Sequence, residues 1–347
     1  MRVLIPDLPF SGEADLERET LSTLLAEPGS GLEVLRLSDP ATVPLESWRR
    51  ADGVIIASDR FHLNSEAISQ LERCKIIVRG GVGYDNVDVA AASRRNIPVS
   101  NVPDYGTDEV ADHAIAMMLA LRRGLPSFTE YLSVDPVTGW RFDAGPLIRR
   151  MKVQSFGIVG LGRIGRAAAA RARAFGMRVL YYDPYVREDV YDRKDTLDAL
   201  LAESDVVSLH CPLTPDTRGL IGAAQLARMK PGSVLVNTAR GPVVDLDAVA
   251  GALRAGRPGG VALDVLPREP PDPDHELIAA WRLQPTWLAG RLLFSPHAAF
   301  YSPESMRDLR SKAAATVRDA LANAGLRHCV NLEQLDLSRL QVAVKPA

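Results

Sequence analysis

Short apolar runs alternate with longer amphipathic stretches along most of the chain. Five such runs lie within the first hundred residues, and their composition predicts buried strands at residues 3–5, 33–37, 54–57, 76–78 and 98–100. Stretches with helical spacing separate them, as at residues 14–26 and 65–73. Strands that alternate with helices in this way predict a parallel sheet that is covered by helices on both faces.

A second series of the same kind starts near residue 156. It predicts strands at residues 156–159, 179–182, 206–209, 234–237, 261–264 and 292–295. A chain of 347 residues is long enough for two domains, so we expect an α/β protein with two doubly wound parallel sheets. The least regular stretches are 132–146 and 268–290, which are rich in Pro, Asp, Trp or Gly.

Two longer helices are predicted to connect these domains. One spans residues 107–123, with acidic residues in its first turn and Arg122 and Arg123 in its last turn, as the helix dipole favours. The other follows Ser302, a good N-cap with proline after it, and runs to about residue 323. If this second helix returns to the first domain, the active site lies in a cleft between two domains, formed by residues 1–103 with 299–347 and by residues 104–298.

Composition and charge exclude several classes of partner. The chain has 41 basic and 43 acidic residues and a net charge of −2, so neither nucleic acid nor a membrane surface is an expected partner. No apolar run reaches the roughly 18–20 residues of a membrane span, and the amino terminus becomes polar too soon for a signal peptide. Cys74, Cys211 and Cys329 are far apart and lack the spacing of metal ligands. We therefore expect reduced thiols, no metal site and a cytoplasmic protein.

The most informative motif lies between the first two strands of the second series. Gly160, Gly162 and Gly165 have the G-x-G-x-x-G spacing, directly after a predicted strand and at the start of a predicted helix. The first glycine permits a tight turn, the second lets a pyrophosphate approach the backbone, and the third lets the helix pack closely on the strand. The N–H groups at the helix N-terminus then bind the phosphates. This pattern predicts a dinucleotide-binding turn.

An acidic residue follows at the position that selects the cofactor. Asp183 closes the next predicted strand, 18 residues after Gly165, where a carboxylate can accept hydrogen bonds from the adenosine ribose. The same carboxylate repels a 2′-phosphate, so we expect NAD rather than NADP. Arg187 is close enough in sequence to weaken this preference slightly.

Three ionisable residues downstream fit hydride-transfer chemistry. Arg240, Glu269 and His297 each follow a predicted strand, and the carboxyl ends of parallel strands share one edge, so the side chains can converge. A guanidinium can hold a 2-oxo acid by its carboxylate, and an imidazole can exchange the hydroxyl proton as hydride moves. A neighbouring carboxylate orients the imidazole and favours its charged form. Each residue alone is more often structural or a surface charge, but together with the glycine motif they predict a catalytic set.

The order of these motifs resembles the D-isomer-specific 2-hydroxyacid dehydrogenases over about residues 50–330. Besides the glycine motif, the matching segments are Gly81-Val-Gly-Tyr-Asp-Asn-Val-Asp88, Asn101-Val-Pro103, Glu109-Val-Ala-Asp112, His210-Cys-Pro-Leu-Thr214, Asn237-Thr-Ala-Arg-Gly241, Asp264 with Glu269, and Ser295-Pro-His-Ala-Ala299. The resemblance implies a flavodoxin-like substrate domain built from both chain ends, and an inserted Rossmann NAD-binding domain. It also implies a homodimer formed through the NAD-binding domain.

The resemblance further implies roles for individual residues. His297 is the expected general acid/base, Glu269 its partner and Arg240 the substrate anchor, while the backbone at Val82 and Gly83 is expected to bind the substrate carboxylate. Besides the three glycines, the implied cofactor contacts are Thr107, Arg163, Ile164, Asp183, Cys211, Thr217, Ala239 and Asp264. Of these, Asp264 is expected to hold the nicotinamide amide. The implied activity is the NAD-dependent interconversion of a D-2-hydroxy acid and a 2-oxo acid.

Within the family, residues 182–185 and 295–304 are most similar to the C-terminal-binding-protein branch. Animal members of that branch act as NAD-sensing corepressors as well as dehydrogenases, so a corepressor-type binding protein is the alternative function. Two features depart from the branch. Phe300 stands where the animal proteins have a tryptophan, and residues 271–291 are longer than usual, with two tryptophans that either form a lid or pack the insertion.

Two related dehydrogenases with other chemistry fit less well. Formate dehydrogenases lack the glutamate partner that Glu269 supplies here, and phosphite dehydrogenases have a lysine where this chain has Val82. The resemblance therefore specifies a reaction on 2-hydroxy and 2-oxo acids, without selecting one acid.

Overall fold

The computed structural model describes residues 1–8, 13–187 and 189–344, and the chain forms two compact units. The first unit contains Met1–Gly106 and the stretch that begins at Ser302, and the second unit is Thr107–Tyr301. The predicted boundaries, after residues 103 and 298, lie three residues earlier at each junction. The observed junctions coincide with helix starts, because one helix begins at Thr107 and Ser302 is the N-cap of another.

The strands are all short and the helices vary in length. The described strands are β1 (Arg2–Ile5), β2 (Gly31–Val34), β3 (Gly53–Ile56), β4 (Ile76–Arg79), β5 (Val99–Ser100), β6 (Ser155–Val159), β7 (Arg178–Tyr182), β8 (Asp192–Arg193), β9 (Val206–Leu209), β10 (Val234–Asn237), β11 (Gly260–Leu263) and β12 (Leu292–Phe294). The described α-helices are α1 (Asp15–Thr20), α2 (Ser22–Leu25), α3 (Leu45–Arg50), α4 (Ser65–Ser69), α5 (Val89–Arg94), α6 (Thr107–Arg123), α7 (Leu125–Val134), α8 (Arg163–Ala174), α9 (Leu197–Glu203), α10 (Ala223–Arg228), α11 (Leu246–Arg254), α12 (Glu276–Leu283) and α13 (Pro303–Leu321). Single 3-10 turns lie at Pro40–Thr42, Met151–Val153, Gly241–Val243, Leu332–Gln334 and Leu337–Arg339.

The first unit is built on a five-stranded sheet with the order β2-β1-β3-β4-β5, in which every pairing is parallel. This is the flavodoxin-like order, with its switch point between β1 and β3. Helix α13 comes from the far end of the sequence and packs on one face of this sheet. Gly53 in β3 allows the close approach, since an added Cβ would lie 2.8 Å from Cγ1 of Val317 in α13. The core of this unit therefore needs both ends of the chain.

The second unit has a seven-stranded sheet with the order β12-β11-β10-β9-β6-β7-β8, again parallel throughout. Counted from β6, this order is the Rossmann order with one further strand at the edge. The order reverses between β6 and β9, so ligands of such a sheet bind beyond the carboxyl ends of these two strands. Every residue of β6, β9, β10 and β11 is buried, which explains their continuous apolar runs. Two parallel α/β sheets confirm the predicted fold class.

Several elements depart from the sequence prediction. The strand expected at residues 33–37 lies at Gly31–Val34, and the helix expected at residues 65–73 ends at Ser69. The helix expected at residues 14–26 is interrupted at Leu21, between α1 and α2. Strand β8 has no predicted counterpart, because it contains only two residues and both are polar. The stretch at 268–290, expected to be irregular, contains α12, which is capped by His275 through a ring nitrogen that accepts a backbone N–H.

The two tryptophans of the 271–291 segment pack against the core of the second unit. Trp281 in α12 meets Phe294 of β12 edge-on, with ring centroids 5.2 Å apart. The guanidinium of Arg254 lies over the Trp287 ring, 4.4 Å from its centroid. Of the two alternatives for this segment, the structure shows packing.

One arginine of α6 is buried, although arginine side chains are mostly exposed in proteins. Arg122 in the last turn of α6 is only 2% exposed, and its guanidinium donates to the carbonyl oxygens of Leu147, Gly232 and Asp205. Burial lowers the pKa of Arg122 to about 10. The guanidinium therefore does more than complement the helix dipole: it joins the end of α6 to the turns that precede β9 and β10.

No described helix is both long enough and apolar enough to cross a membrane. Cys74, Cys211 and Cys329 have free thiols. Burial raises the pKa of Cys74 to about 12 and that of Cys211 to about 11. Both thiols are therefore protonated at neutral pH, which makes them poor nucleophiles.

Candidate functional site

The glycine motif forms the turn between β6 and α8. Gly160 follows β6 with a positive φ of 93°, and an added Cβ would lie 2.8 Å from the backbone nitrogen of Cys211. Gly165 lies in the first turn of α8, where an added Cβ would collide with the carbonyl oxygen of Gly160. Both glycines are therefore required by the backbone turn and by the close packing of the helix on the strand.

Gly162 differs from these two because its surroundings are open. An added Cβ would meet no atom within 4 Å. Gly162 is also the N-cap of α8, and no side chain caps this helix end, whose first residues are Arg163 and Ile164. The N–H groups of the first turn lack partners within the helix, and the helix dipole favours negative charge there. An open and uncapped helix N-terminus fits the phosphates of a dinucleotide.

Asp183 follows β7 and is 7% exposed. Its Oδ2 accepts the backbone N–H of Leu161 in the glycine turn at 2.8 Å, and its Oδ1 accepts those of Tyr185 and Val186 at 2.8 and 3.0 Å. The carboxylate therefore ties the glycine turn to the loop after β7. Each carboxylate oxygen has two lone pairs, so Oδ2 can accept a further hydrogen bond, for example from a ribose hydroxyl.

The loop after β9 lies against the glycine turn. Cys211 near its start is buried, with its backbone nitrogen close to Gly160. Thr217 shapes the other end of the loop, because its hydroxyl donates to the carbonyl oxygen of Pro212 at 2.7 Å. Both residues thus lie in the loop that follows β9, one of the two strands at the switch point of the sheet.

The loop after β10 is organised by a buried asparagine. The side chain of Asn237 accepts the backbone N–H of Ala239 at 3.0 Å and donates to the carbonyl oxygen of Arg240 at 2.9 Å. Arg240 is half-buried, and its Nη1 donates to the carbonyl oxygen of Ala239 at 2.8 Å. Asn237 therefore determines the backbone path that presents Arg240 beyond the end of the strand.

His297 and Glu269 form a hydrogen-bonded pair. Nδ1 of His297 lies 2.7 Å from Oε2 of Glu269, and Oε1 of Glu269 accepts the backbone N–H of Leu266 at 2.8 Å. Because Nδ1 faces a carboxylate, we assign the tautomer with its proton on Nδ1, which leaves Nε2 as the ring nitrogen that is able to accept a proton. The ring of Phe300 stands edge-on to the imidazole at 6.0 Å.

Asp264 holds the loop that contains His297. Its side chain is 1% exposed, with Oδ1 accepting the N–H of Ala298 at 2.9 Å and Oδ2 that of Ala299 at 3.0 Å. Its carbonyl oxygen accepts the N–H of His297 at 2.7 Å. His297 has a positive φ of 53°, a conformation that costs a non-glycine residue on the order of 1 kcal/mol. These hydrogen bonds maintain that conformation.

The second unit brings most of the predicted site residues to one edge of its sheet. Arg240, Glu269 and His297 follow β10, β11 and β12, which are neighbours. Thr107 is the first residue of α6, and α6 packs together with α8 on one face of the sheet. The remaining predicted residues, at positions 82 and 83, belong to the first unit.

Val82 and Gly83 lie in the loop after β4. Asn101 donates from Nδ2 to the carbonyl oxygen of Val82 at 2.6 Å, and a side chain at Gly81 would occupy the space of the Arg79 guanidinium. Among the described residues, none accepts the backbone N–H of Val82 or Gly83. Consecutive backbone N–H groups of this kind can bind a carboxylate.

Two histidines near these loops have no role in the sequence prediction. His113 of α6 lies with Nε2 2.9 Å from Oγ of Ser295, and His210 lies with Nε2 2.9 Å from Oγ of Ser208. The only signal in the sequence is their position next to or within segments that match the family. A lone histidine in a sequence is usually structural, so this signal predicts no role for His113 or His210. Their serine partners are identified only by the folded structure.

Comparison with known proteins identifies the family. The family model of the D-isomer specific 2-hydroxyacid dehydrogenase NAD binding domain matches residues 115–299. A glyoxylate reductase from Korarchaeum cryptofilum is 40% identical over 266 residues, which are 75% of each chain. A D-3-phosphoglycerate dehydrogenase from Archaeoglobus fulgidus is 34% identical over 288 residues, which are 82% of this chain and 52% of that protein. The chain thus spans about half the length of that relative.

A solved structure covers nearly the whole chain. The D-lactate dehydrogenase of Aquifex aeolicus, in complex with NAD and lactic acid, has a TM-score of 0.79 and 28% sequence identity. The match covers 99% of this chain and 100% of that one. It extends the similarity beyond the NAD-binding domain to both units.

The chain therefore belongs to the D-isomer specific 2-hydroxyacid dehydrogenase family, and its second unit contains the NAD-binding domain of that family. The predicted family, fold class and cofactor are confirmed. The relatives are named for different acids, so they define a class of 2-hydroxy and 2-oxo acids. The similarity to the C-terminal-binding-protein branch stays a prediction.

We expect the partly buried His210 to make the stability of this protein sensitive to acid. Burial lowers the pKa of His210 to about 4, whereas in an unfolded chain the ordinary value is about 6.5. The unfolded state therefore binds more protons between these values, and the stabilisation present above about pH 6.5 is lost as the pH falls towards 4. Between pH 7 and pH 5, we expect the free energy of unfolding to fall by about 2 kcal/mol more in the native protein than in His210→Gln.

Urea unfolding at several pH values measures this difference. Glutamine keeps a polar group near Ser208 without titrating, so the variant separates protonation from the loss of the hydrogen bond. Equal pH dependence in the two proteins would show that His210 does not titrate between its folded and unfolded values.

Proposed function

We propose that this protein is an NAD-dependent oxidoreductase that interconverts a D-2-hydroxy acid and the corresponding 2-oxo acid. The observation that carries the proposal is the contact of 2.7 Å between His297 and Glu269. This pair lies at the carboxyl edge of the same sheet whose β6–α8 turn fits a dinucleotide. A hydride-transfer reaction on an alcohol needs a general acid/base beside the cofactor. The second unit contains a candidate acid/base, His297, and a candidate cofactor-binding turn.

His297 exchanges the proton in the proposed reaction. During reduction, C2 of the oxo acid gains a hydride, and the carbonyl oxygen takes a proton from Nε2 of the imidazolium, which leaves the ring neutral. Glu269 accepts from Nδ1 in both directions, so it orients the ring and stabilises the charged form. Oxidation reverses these transfers, and the neutral imidazole then takes the hydroxyl proton.

The cofactor supplies the hydride acceptor or donor, and this chain contributes the surfaces that hold it. The proposed contacts are the N–H groups at Gly162, Arg163 and Ile164 for the phosphates and Asp183 for the ribose. The other proposed contacts are Gly160, Gly165, Thr107, Cys211, Thr217, Ala239 and Asp264. Since both oxygens of Asp264 already accept backbone N–H groups, we assign it chiefly to holding the His297 loop.

Substrate binding is assigned to groups that recognise a carboxylate. The guanidinium of Arg240 can form a two-pronged contact with the acid and polarise its carbonyl group. The backbone N–H groups of Val82 and Gly83 can donate hydrogen bonds to the same kind of anion, since no described residue accepts from them. The Phe300 ring, edge-on to the imidazole, is the apolar group placed to contact the substrate side chain.

A panel of 2-oxo acids tests the proposed reaction. With NADH, we expect turnover of at least one small 2-oxo acid, measured as the loss of NADH absorbance, and no turnover of a ketone that lacks the carboxylate. NADH binding without turnover of any acid in the panel would contradict the dehydrogenase and favour the corepressor-type alternative.

Two variants in the same assay separate the proposed roles. His297→Ala should reduce kcat by about 10²–10⁴-fold and leave NADH binding nearly intact, because it removes only the proton-transfer group.

Arg240→Lys keeps the charge but not the planar contact, so it should raise KM for the acid and lower kcat together. Native KM in Arg240→Lys would assign this residue to the protein surface and leave the Val82–Gly83 backbone as the carboxylate site.

Asp183 is proposed to select NAD over NADP. Replacing it with asparagine keeps an oxygen acceptor for the glycine turn and removes the charge that repels a 2′-phosphate. We expect kcat/KM for NADPH to rise relative to that for NADH in Asp183→Asn. The matched control is Asp192→Asn in β8, the same change at an exposed carboxylate, which should leave the ratio unchanged. A native protein that prefers NADPH would exclude this role for Asp183.

A homodimer is proposed on the basis of an exposed apolar segment in the second unit. Val134, Val137, Trp140 and Phe142 are each at least 80% exposed. Apolar side chains clustered in this way on the surface indicate a contact with another protein chain. A second copy of the same chain is the proposed partner, in line with the assembly that the family resemblance implies.

Light scattering tests the proposed dimer directly. The native protein should have twice the mass of one chain, and Trp140→Ser combined with Phe142→Ser should shift it towards the monomer at low concentration. Val190→Ser, at an exposed apolar position outside the segment, is the control and should stay dimeric. A monomeric native protein would overturn the proposed assembly.

A further inference from the structure

A chain of three polar side chains connects helix α6 to the loop that contains His297. Nε2 of His113 lies 2.9 Å from Oγ of Ser295, which in turn lies 2.6 Å from Oδ1 of Asp264. Nε2 of His113 is also 3.6 Å from the same carboxylate oxygen. All three residues belong to the second unit, and His113 is separated from Ser295 by 182 positions in the sequence.

The hydrogen bonds in this chain have one consistent direction. Both carboxylate oxygens of Asp264 accept backbone N–H groups, so they act as acceptors, and the Ser295 hydroxyl must donate its proton to Oδ1. The oxygen of Ser295 then accepts from His113, which places a proton on Nε2 of His113. Residue 113 must therefore donate a hydrogen bond to the oxygen of Ser295.

The hydrogen-bonded series from His113 through Ser295 to Asp264 ends at the loop that contains His297. Asp264 receives the N–H groups of Ala298 and Ala299 on its side chain and that of His297 on its carbonyl oxygen. These contacts maintain the positive φ of His297, a conformation that relaxes unless the surroundings hold it. A rotated Asp264 carboxylate would release the two N–H groups directly after His297.

We infer that His113 is a positioning residue for the general acid/base, acting through Ser295 and Asp264 on the loop of His297. Its donated hydrogen bond orients the Ser295 hydroxyl, which restricts the buried carboxylate to the rotamer that receives Ala298 and Ala299. Helix α6 is a rigid element of 17 residues, so it provides a firm support for the loop. This inference rests on the proposed function, because it assumes that His297 transfers the proton.

The test compares two replacements of His113 that differ only in whether a donor is present. Glutamine places an N–H group at about the distance of Nε2 from Cβ, whereas leucine fills similar space without a donor. We expect His113→Leu to lower kcat roughly tenfold, with KM for the acid and the dissociation constant of NADH within about twofold of native. His113→Gln should retain most of the native kcat.

Ser295→Ala is the second variant, and it removes the middle of the chain without changing α6. It should lower kcat to a similar extent, and the double variant with His113→Leu should lose no more than either single variant, because both break one chain. Native kcat in His113→Leu, an equal loss in His113→Gln, or additive losses in the double variant would each overturn the inference.

A spectroscopic measurement keeps the inference testable if no substrate is turned over. The measurement is the NMR signal of the Nδ1–H proton of His297, which faces Glu269, in protein labelled with 15N-histidine. We expect this resonance to broaden or shift in His113→Leu and to be retained in His113→Gln. An inactive native protein would contradict the proposed function alone, whereas an unchanged resonance in His113→Leu would contradict the positioning role.

Discussion

All strands of the second unit run in one direction, and its candidate functional residues follow their carboxyl ends. Hydrogen bonding between parallel strands requires this alignment, so the turns after β6, β7, β9, β10, β11 and β12 share one edge of the sheet. The glycine turn and the His297–Glu269 pair are consequently parts of the same surface, although 137 positions separate Gly160 from His297. The proposed cofactor site at the switch point and the proposed acid/base after β11 and β12 share this edge because of that single constraint.

Carboxylates hold the loops of this edge in place. Asp183 accepts backbone N–H groups from two loops, Asp264 accepts two from the loop that contains His297, and Glu269 accepts one from Leu266 besides the imidazole. A carboxylate has several lone pairs, so it can accept hydrogen bonds from backbone N–H groups in the loops beyond the strands, where no neighbouring strand provides a carbonyl partner. The acidic residues therefore shape the site as well as provide its charge.

The sequence predicted the parts of the site that depend on local spacing. Gly160, Gly162 and Gly165 were recognisable because a strand, a turn and a helix follow one another without interruption, and α6 was predicted at its observed bounds. Features that depend on contacts between distant residues were not predicted. The burial of Arg122 and the hydrogen bond from His113 to Ser295 join residues far apart in the chain, and periodicity contains no information on such partners.

The sequence by itself determined the class of the fold, the NAD-binding turn and the residue types available for hydride-transfer chemistry, because apolar periodicity and glycine spacing act over a few residues. Tertiary structure alone decided which oxygen of Glu269 meets Nδ1 of His297 and which backbone groups Asp264 receives. The sequence predicted that both ends of the chain form one domain, and the tertiary structure decided the contact by which they do so, the approach of α13 to Gly53. Distances of 2.7–3.0 Å between groups in loops that follow different strands depend on the packing of whole helices and sheets, which no local pattern encodes.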